Sequence, residues 1–463
     1  MPLVLGVDSS TQATKVEVRD ADTGALVAEG RAPHPATTPP RSEQDPDSWL
    51  AALEIARAGL PAVDAISVAA QQHGLVALDA HDDVVRPAKL WNDTESAPDA
   101  QWLRGRLDDG GWARACGSVP VAAFTITKLS WLHRVEPEAW ARLARVCLPH
   151  DWLTWKLGGE LVTDRGDASG TGYFSAAENV YRTDLLAFVD GDADWVSRLP
   201  SVASPTAVVG RCGDAVVGPG TGDNMAAALG IGLEPGDVAI SIGTSGTVYT
   251  VSTTPTFDAS GAVAGFADAT GRYLPLVCTL NATKVTDAIA RLLGVDAMRL
   301  DALALEAAAG AGGVTVVPHF DGERTPNRPD ATGTIIGLRS DVTREQLARA
   351  AYEGVVCSLL EALDALAAAD VDTGGRLLLL GGGARSPAFR RVLADLAGRP
   401  VTVPASSEHV ATGACVQAAA ALDGAWPGWK LGHGEVVDPG AVDRDTIRDR
   451  YRETAVGPAV REG

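Results

Sequence analysis

Two aspartates at the ends of predicted strands are the residues whose type and placement could do chemistry. Asp8 comes directly after the apolar run Leu3–Val7 and is followed by the small hydroxyl residues Ser9–Thr11. A carboxylate there can hold Mg²⁺, usually through water, while the N–H groups of the turn face phosphate oxygens. Alternatively, Asp8 closes its own turn through a side-chain hydrogen bond. The residues around Asp8 leave both interpretations open.

Asp223 lies in the glycine-rich run Gly218–Met225, just before an alanine-rich helical stretch. An aspartate at a helix start is most often an N-cap. The same position can present a base, since flanking glycines let a substrate approach closely. Phosphoryl transfer needs a carboxylate that orients the acceptor hydroxyl and accepts its proton. Both roles are open for Asp223.

Two further glycine-rich turns could contact a nucleotide. The run Ser241–Gly246 suits a phosphate-binding turn between strands, and Gly381–Gly383 at a strand end would let backbone lie against a flat ring or a ribose. The alternatives are an ordinary hairpin and a helix–sheet packing turn. The sequence contains no Gly-x-x-x-x-Gly-Lys-[Ser/Thr] loop, and no Gly-x-Gly-x-x-Gly follows the first strand. Any nucleotide site is therefore of another kind.

A group of polar side chains in the first half could bind a polyol. Gln71–Gly74 follows the strand-like run Ala65–Ala70, and Trp91–Asp93 comes later. Their polar groups can hydrogen-bond hydroxyls while the indole packs on a carbon face. His73 can equally be a structural hydrogen-bonding residue.

The elements that must position these residues form a repeated pattern. The runs Leu3–Val7 and Lys15–Val18 predict strand, turn and strand, and the runs Val238–Ile242 and Thr247–Val251 repeat that arrangement. Two similar domains, each opening with its own hairpin, would give this pattern. Two unrelated hairpins would give it as well.

Helical patterns alternate with the strands and predict an α/β protein. One helix is predicted over Trp49–Ala58 and another over Ser340–Ala369, capped by Asp341 or Thr343. A buried strand, Leu377–Leu380, precedes a further helix that carries Phe389, Val392 and Leu396. We place the domain boundary in the stretch Gly230–Gly236.

Bulk composition limits the class of protein. A chain of 463 residues is expected to fold as two or three domains, and its net charge of −20 argues against a nucleic-acid surface. The six cysteines are scattered without a Cys-x-x-Cys pair, as expected for isolated thiols in a reducing compartment. The N-terminus lacks the pattern of a signal peptide, and no charge-free stretch is long enough to span a bilayer. We therefore expect a cytoplasmic location.

The order of the motifs resembles one known family, the FGGY family of carbohydrate kinases, and within it the xylulokinase branch. The resemblance runs from about residue 3 to residue 420. The motifs that carry it are, in order, Asp8-x-x-Thr11, Ser42-Glu43-Gln44-Asp45-Pro46, Gln72-His73-Gly74, Leu90-Trp91-Asn92-Asp93, Phe124-Thr125-x-x-Lys128-Leu129-x-Trp131, Gly222-Asp223-Asn224, Ser241 to Gly246, Gly322-Glu323-Arg324-Thr325-Pro326 and Gly381 to Ser386.

The resemblance implies two actin-like (ribonuclease H-like) domains with the active site in a cleft between them. Residues 1–232 would form the N-terminal domain, which binds the sugar and carries the catalytic base. Residues 233–463 would form the C-terminal, ATP-binding domain. The tail from about residue 445 would pack back on the first domain, or would be a solvated terminal helix.

The matching positions also imply roles for single residues. Asp223 would be the base, and Asp8 would be a second catalytic residue that orients hydrated Mg²⁺ bound with ATP. The sugar pocket would be lined by Gln72, His73, Trp91, Asp223 and Asn224. ATP would contact Thr11 in the first phosphate loop, Gly243, Thr244 and Ser245 in the second, and Gly382, Gly383 and Ala384 beside the adenosine.

The implied reaction is ATP-dependent phosphorylation of D-xylulose to D-xylulose 5-phosphate, with a small sugar and ATP as the partners and neither nucleic acid nor membrane. The sequence leaves open whether the protein forms a homodimer. Three positions depart from the family pattern: Ser10 and Gln12 in the first loop, and Gln72, where a methionine is common. Gln72 keeps open a kinase for another substrate, such as ribulose, fuculose, gluconate, erythritol or glycerol. A non-catalytic sugar or nucleotide sensor is the remote alternative.

Overall fold

The computed structural model describes residues 1–158 and 160–456 and consists of two compact units. The first unit comprises Met1–Leu233, Ser252–Pro275 and Glu408–Leu431, and the second comprises Glu234–Val251, Leu276–Ser407 and the described residues from Gly432 onward. The chain first passes between units inside the stretch Gly230–Gly236. The units are discontinuous, however, which differs from the expected division into 1–232 and 233–463.

The sheet of the first unit is built around the N-terminal hairpin. Its strand order is Leu26–Pro33, Ala13–Asp20, Leu3–Ser9, Ala65–Ala70, Ala215–Val217 and Gly210–Cys212, with Thr221–Gly222 also paired to Ala65–Ala70. Among the first three strands, each is antiparallel to its neighbour. The third, fourth and fifth strands are parallel, and the sixth is antiparallel. Every residue of Ala65–Ala70 is buried, as expected for a central strand covered on both faces.

The sheet of the second unit repeats this plan. Six of the seven strands of this sheet follow in the order Tyr273–Thr279, Gly246–Thr250, Val238–Ile242, Leu377–Leu380, Val401–Pro404 and Gly434–Val437. The directions follow the same sequence, with an antiparallel hairpin, two parallel pairings and a final antiparallel one. The two hairpins are therefore equivalent elements of a duplicated fold, and the alternative of unrelated hairpins is wrong.

Helices and short strands complete the first unit. Its helices are Pro46–Arg57, Ala97–Arg104, Asp109–Cys116, Thr125–Val135, Pro137–Arg142, Pro149–Gly158, Arg165–Ala168, Thr183–Leu186, Trp195–Arg198, Asp223–Gly230 and His409–Asp423. Its short strand pairs are Glu43–Gln44 with Ala88–Lys89, Val76–Leu78 with Arg145–Cys147, Val162–Asp164 with Ser201–Ala203, and Phe174–Ser175 with Val180–Tyr181. The strand Ala264–Ala267 also belongs to this unit.

The helix His409–Asp423 explains why a late segment returns to the first unit. It packs on the strand Leu3–Ser9 and on the helix Asp223–Gly230. The crossing is close, because a Cβ on Gly413 would lie 1.8 Å from the Ala226 carbonyl oxygen. Glycine at this position thus allows two backbones to touch, and it fixes the helix that begins with Asp223.

The second unit has four helices, Thr283–Leu293, Ala297–Glu306, Arg344–Ala368 and Pro387–Ala397, among the described residues before the tail. It also has the 3₁₀ turns Ala311–Gly313 and Gly382–Arg385 and the strand pair Thr315–Val317 with Thr334–Ile336. The cap of Arg344–Ala368 is Thr343, whose side chain accepts from the backbone N–H of Gln346 in a full capping box. The helices predicted from Trp49, Ser340 and Phe389 are thereby confirmed.

The C-terminal tail packs elsewhere than expected. The helix Arg444–Val456 belongs to the second unit, where Arg448 and Arg452 pair with Asp364 and Tyr451 is buried. Paired arginines and a buried tyrosine hold it to the helix Arg344–Ala368, so it neither returns to the first unit nor is free in solvent. The rest of the tail, 457–463, lies outside the described residues. Over residues 1–158 and 160–456, no helix is long and apolar enough to cross a membrane.

Candidate active site

The predicted site residues of the first unit meet at one edge of its sheet. The strands Leu3–Ser9, Ala65–Ala70 and Thr221–Gly222 are parallel, and Ala70 is opposite both Ser9 and Gly222. Because the carboxyl ends of parallel strands meet at the same edge, the residues at and after these ends become neighbours. This register brings together Asp8, the segment Gln71–His73 and Asp223.

Asp8 is 4 % exposed and is faced by a lysine that sequence reasoning missed. Lys15 is its direct partner in the hairpin register, and the Lys15 Nζ lies 3.5 Å from Asp8 Oδ2 and 2.7 Å from Glu408 Oε2. Burial raises the pKa of Asp8 to about 6, although the charge of Lys15 acts in the opposite direction. This pairing follows from the register of the hairpin, in which Ser9 is opposite Thr14. A turn one residue shorter would have placed a different residue opposite Asp8, so the sequence alone did not indicate Lys15.

The turn after Asp8 is closed by another residue. Both the backbone N–H and the hydroxyl of Ser10 donate to the Ala13 carbonyl, at 3.0 and 2.9 Å. Asp8 Oδ1 is buried and has no hydrogen-bond partner among the described residues. The interpretation of Asp8 as a turn-closing residue is therefore wrong. A buried carboxylate oxygen left as a free acceptor suits a hydrated divalent cation.

Asp223 is the first residue of its helix, and Gly222 is the N-cap. The N-cap interpretation of Asp223 is thus wrong by one position. Its Oδ1 accepts from the backbone N–H and the Nδ2 of Asn224, at 2.8 and 3.0 Å. The pKa of Asp223 is raised to about 7, first because protein replaces water around it and then because Asp8 and Asp167 carry like charge. Such a carboxylate has a proton affinity suited to general-base chemistry near neutral pH.

The predicted sugar-side residues are connected to Asp223 through Asn224. The Asn224 Nδ2 also donates to Gln72 Oε1 at 2.8 Å, which leaves Gln72 Nε2 buried and without a partner in the described part of the chain. His73 has a left-handed backbone, with φ of 66°, and its Nδ1 donates to the Gly170 carbonyl at 2.7 Å. Gln72, Asn224 and Asp223 therefore form one hydrogen-bonded group, and His73, the residue after Gln72, is held by Gly170.

Phe124 and Phe266 enclose the ring of His73, with centroids 5.1 and 5.6 Å away. The Thr125 hydroxyl donates to the His73 carbonyl at 3.3 Å. The Phe124-Thr125 motif thus serves to position His73, which its place in the sequence alone did not indicate.

Trp91 is bound to the first loop by its indole. The indole N–H donates to the Thr11 hydroxyl at 2.9 Å, and that hydroxyl donates to Gln71 Oε1 at 3.0 Å. Gln44 supports the same loop, since its Nε2 donates to the Thr11 carbonyl at 2.9 Å. Thr11 is the residue expected to contact a phosphate, and Trp91 is the residue expected to line the sugar pocket. A hydrogen bond thus connects the two.

The glycine-rich loops of the second unit also meet at one sheet edge. Val238–Ile242 and Leu377–Leu380 are parallel, with Ser241 opposite Leu380, so Gly243–Ser245 lies beside Gly381–Ala384. Gly243 and Thr244 are exposed, and their carbonyls accept from Thr283 N–H and Ala282 N–H at 2.9 and 3.0 Å.

In the other loop, Gly382 is exposed, whereas Gly383 and Ala384 are buried. A Cβ on Gly383 would lie 2.4 Å from Ile242 Cγ2. Gly383 therefore has the packing role left open above, and Gly381 and Gly382 are the exposed residues of the loop.

Three carboxylates lie close enough together to bind a metal ion, but a lysine ammonium group occupies the space between them. Glu43, Asp93 and Glu95 bring their oxygens close together. Lys89, fully buried, places its Nζ 3.0 Å from Glu43, 3.0 Å from Asp93 and 2.6 Å from Glu95, and 3.8 Å from the ring centre of Trp131. Lys89 shares its charge among the three carboxylates, and Arg86 and Arg41 pair with Glu43 and Glu95 in addition. The group is therefore a structural one.

Lys89→Met should lower the free energy of unfolding by about 3–5 kcal/mol, because it leaves the fully buried Asp93 carboxylate without its cation. Urea denaturation followed by fluorescence measures this change. The control Lys156→Met replaces an exposed lysine and should stay within about 0.5 kcal/mol of the parent. Equal stability of the two variants would contradict the structural role of Lys89.

Comparisons with known proteins agree with this arrangement. Residues 3–230 match the N-terminal domain, and residues 238–422 the C-terminal domain, of the FGGY family of carbohydrate kinases. The chain is 48 % identical to a xylulose kinase of Streptomyces coelicolor, over 96 % of this chain and 94 % of that one. It is 47 % identical to a xylulose kinase of Streptomyces rubiginosus over the same shares.

A solved structure gives the same result for the fold. The crystal structure of xylulose kinase from Bifidobacterium adolescentis superposes with a TM-score of 0.89 at 41 % identity, covering 98 % of this chain and 99 % of that one. The two sheet-centred α/β units with the same strand order are those of the actin-like fold expected from the sequence. Together with the matched domains, which span most of the sequence, these likenesses show that the chain belongs to the FGGY family of carbohydrate kinases.

Proposed function

We propose that this protein transfers the γ-phosphoryl group of ATP to D-xylulose, giving D-xylulose 5-phosphate and ADP. The observation that carries the proposal is the position of Asp223, a carboxylate with raised pKa at a helix start, hydrogen-bonded to Asn224 and through it to Gln72. The choice of sugar is supported by two relatives, 48 % and 47 % identical to this chain, which are both xylulose kinases.

In the proposed mechanism, the oxygen of the sugar 5-hydroxyl attacks the γ-phosphorus while Asp223 accepts the proton of that hydroxyl. The bond from that phosphorus to the β–γ bridging oxygen breaks, and ADP leaves with the electron pair. Gln72 Nε2, buried with no partner in the described structure, is available to donate to a sugar hydroxyl. General-base assistance of this kind contributes on the order of 10²–10⁴ in rate.

Asp8 is proposed to orient a hydrated Mg²⁺ that accompanies ATP. The unpartnered Asp8 Oδ1 fits this role. Bound Mg²⁺ would neutralise charge on the phosphates during transfer. Lys15, held by Glu408, keeps the other carboxylate oxygen in place.

We assign ATP contacts to three loops. Thr11 would contact phosphate, as would Gly243, Thr244 and Ser245. Gly382 would lie beside the adenosine, with Gly383 and Ala384 supporting it from behind. His73 and Trp91 would line the sugar pocket on the first unit. The six free thiols fit a reducing compartment such as the cytoplasm.

An ADP-release assay with Mg·ATP and a panel of ketopentoses, polyols and sugar acids tests the proposal. We expect turnover with D-xylulose at a kcat/KM well above that of every other member. Turnover confined to another sugar would keep the mechanism and reject the substrate. No turnover with any member of the panel, with sugar binding retained, would favour the non-catalytic sensor.

The pH dependence of kcat/KM for the sugar should show an acid limb near pH 7. Asp223 acts only when ionised, and its pKa is raised from an ordinary carboxyl value to about 7, so activity is lost as the pH falls through that value. Asp8, with its pKa near 6, should steepen the limb at lower pH. Initial rates between pH 5 and 9 measure the profile. A flat profile down to pH 5 would contradict the assignment of the base.

Gln72→Met should raise the KM for the sugar several-fold and change kcat less, because it removes a donor and the support of Asn224 without touching Asp223. Steady-state kinetics with the accepted sugar give both constants. Gln101→Met, an exposed glutamine on the helix Ala97–Arg104, is the matched control and should leave both unchanged. An unchanged sugar KM in Gln72→Met would remove Gln72 from the sugar site.

A further inference from the structure

A buried charged cluster lies behind the acceptor site and has no part in the mechanism above. It consists of His150, Asp151, Asp164 and Asp167, all almost completely buried. The His150 Nδ1 lies 2.7 Å from Asp167 Oδ2, while its Nε2 lies 3.1 Å from Asp151 Oδ1 and 3.8 Å from Asp164 Oδ1. Four ionisable groups withdrawn from water are costly to a fold, so their presence calls for a role beyond packing.

Asp164 connects this cluster to the base. It is the N-cap of the helix Arg165–Ala168, where it accepts from the backbone N–H groups of Gly166 and Asp167, both at 2.8 Å. The Thr221 hydroxyl donates to Asp164 Oδ2 at 2.8 Å. Thr221 stands two residues before Asp223 and begins the short strand that leads into its helix.

Gly170 connects the same segment to the sugar side. Its backbone N–H donates to the Asp167 carbonyl at 2.9 Å, and its own carbonyl accepts from His73 Nδ1 at 2.7 Å. One segment, Asp164–Gly170, therefore contacts both the strand before the base and the histidine of the proposed sugar pocket. The buried His150 holds this segment from behind through Asp167.

We propose that His150, Asp164 and Asp167 are positioning residues of the acceptor site, which hold the Asp223 carboxylate and the His73 ring in a single arrangement and set the electric field at Asp223. This inference rests on the proposed function for its kinetic readouts. The residues themselves do not touch the reacting atoms. They act through Thr221, through Gly170 and through charge.

The protonation of the cluster agrees with this role. Burial alone would lower the pKa of His150, but the charges of Asp151 and Asp167 outweigh burial and raise it to about 9. His150 is thus a cation at neutral pH, and its Nδ1 donates to Asp167.

The groups around Asp223 determine how the charge of Asp167 acts on it. Asp8 on the first strand and Asp167 on the helix Arg165–Ala168 are its charged neighbours, and Gln72 and Asn224 are neutral ones. The His150 cation pairs with Asp167 Oδ2, while Asp167 Oδ1 is buried and has no hydrogen-bond partner in the described structure, so the charge of Asp167 is offset in part. Removing this charge should make Asp223 easier to ionise.

Thr221→Val tests the mechanical connection. The side chain keeps its shape and loses the hydroxyl that binds Asp164, so we expect kcat to fall about tenfold through misplacement of the base, with the KM for ATP unchanged. Thr221→Ser restores the hydroxyl and should restore most of kcat. The control Thr250→Val, a buried threonine in a strand of the second unit, should keep the parental kcat. Full activity in Thr221→Val would overturn this connection.

Asp167→Asn tests the charge. The amide oxygen can still accept from His150, so geometry is kept while the charge is removed. We expect the acid limb of kcat/KM to move to lower pH by about half a unit or more, and a merely structural role would not move it. An unmoved or upward-shifted limb would overturn the electrostatic part.

Carbon-13 NMR of labelled aspartate carboxyls follows the Asp223 titration without turnover, and Asp223→Asn assigns its signal. A lower Asp223 pKa in Asp167→Asn than in the parent would support the inference even if no sugar on the panel were phosphorylated. That readout separates failure of this inference from failure of the proposed function. An identical titration in both proteins would reject the inference directly.

Discussion

Asp223→Asn should reduce kcat by about 10²–10⁴-fold while leaving the fold and sugar binding in place. The asparagine keeps the size of the side chain, and its amide oxygen can still accept from the Asn224 N–H. What is lost is the only group in the proposed mechanism that takes the sugar proton. Single-turnover measurements of ADP formation give the chemical step, and calorimetry without nucleotide gives sugar affinity.

Asp99→Asn is a matched control for this result. Asp99 is also a buried aspartate of the first unit, but it pairs with Arg134 at 2.7 Å and bonds Ser130, away from the sheet edge that carries Asp223. Its variant should lose stability and keep kcat. If Asp223→Asn retained parental turnover with the accepted sugar, another residue would have to be the base, and the mechanism would be wrong.

The sheet edge that carries the site was predictable because hydrophobic runs and polar turns are local signals. Leu3–Val7 and Ala65–Ala70 are apolar, and polar residues follow each of them directly. Once both are central parallel strands, their carboxyl ends lie at the same edge of the sheet, so Asp8 and the polar residues after Ala70 are expected on that edge. Two hairpins of similar pattern likewise suggested a duplication, which the matching order of six strands in each sheet confirms.

The precise start of the helix at Asp223 was harder to predict. Gly222 and Asp223 are both acceptable at an N-cap, and the difference is one residue. The structure resolves it through tertiary contacts, since Thr221 is held by Asp164 and Gly222 packs against Gln72. A one-residue difference decides whether the carboxylate caps its own helix or is available to a substrate.

The contacts between distant parts of the sequence left no local signal. Helix His409–Asp423 has the sequence of an ordinary alanine-rich helix, and its packing on Leu3–Ser9 and on Ala226 shows that it belongs with the first unit. The cluster around His150 is similar, because its members come from separate elements and meet only when the unit folds. Charged side chains in such places are costly unless paired, so their pairing has to be read from the structure.

Asp8→Asn should lower kcat by about 10²-fold or more and raise the Mg²⁺ concentration needed for half-maximal rate. An amide cannot supply the negative charge that a hydrated divalent cation favours, and it places a donor where the structure offers a free acceptor. Lys15 would also lose one of its two carboxylate partners and keep Glu408 alone. Titration of activity with Mg²⁺ at fixed ATP measures both effects.

The Mg²⁺ titration distinguishes Asp8 from Asp223, because Asp223→Asn should lower the rate at every Mg²⁺ concentration without shifting the midpoint. Asp20→Asn is the control, since Asp20 is buried at the far end of the same hairpin, where its side chain accepts hydrogen bonds from the nearby turn at Asp22 and Thr23. That variant should keep the parental midpoint and kcat. If Asp8→Asn shared the parental Mg²⁺ midpoint while kcat fell, Asp8 would act on the position of Asp223 and Lys15 rather than on the cation.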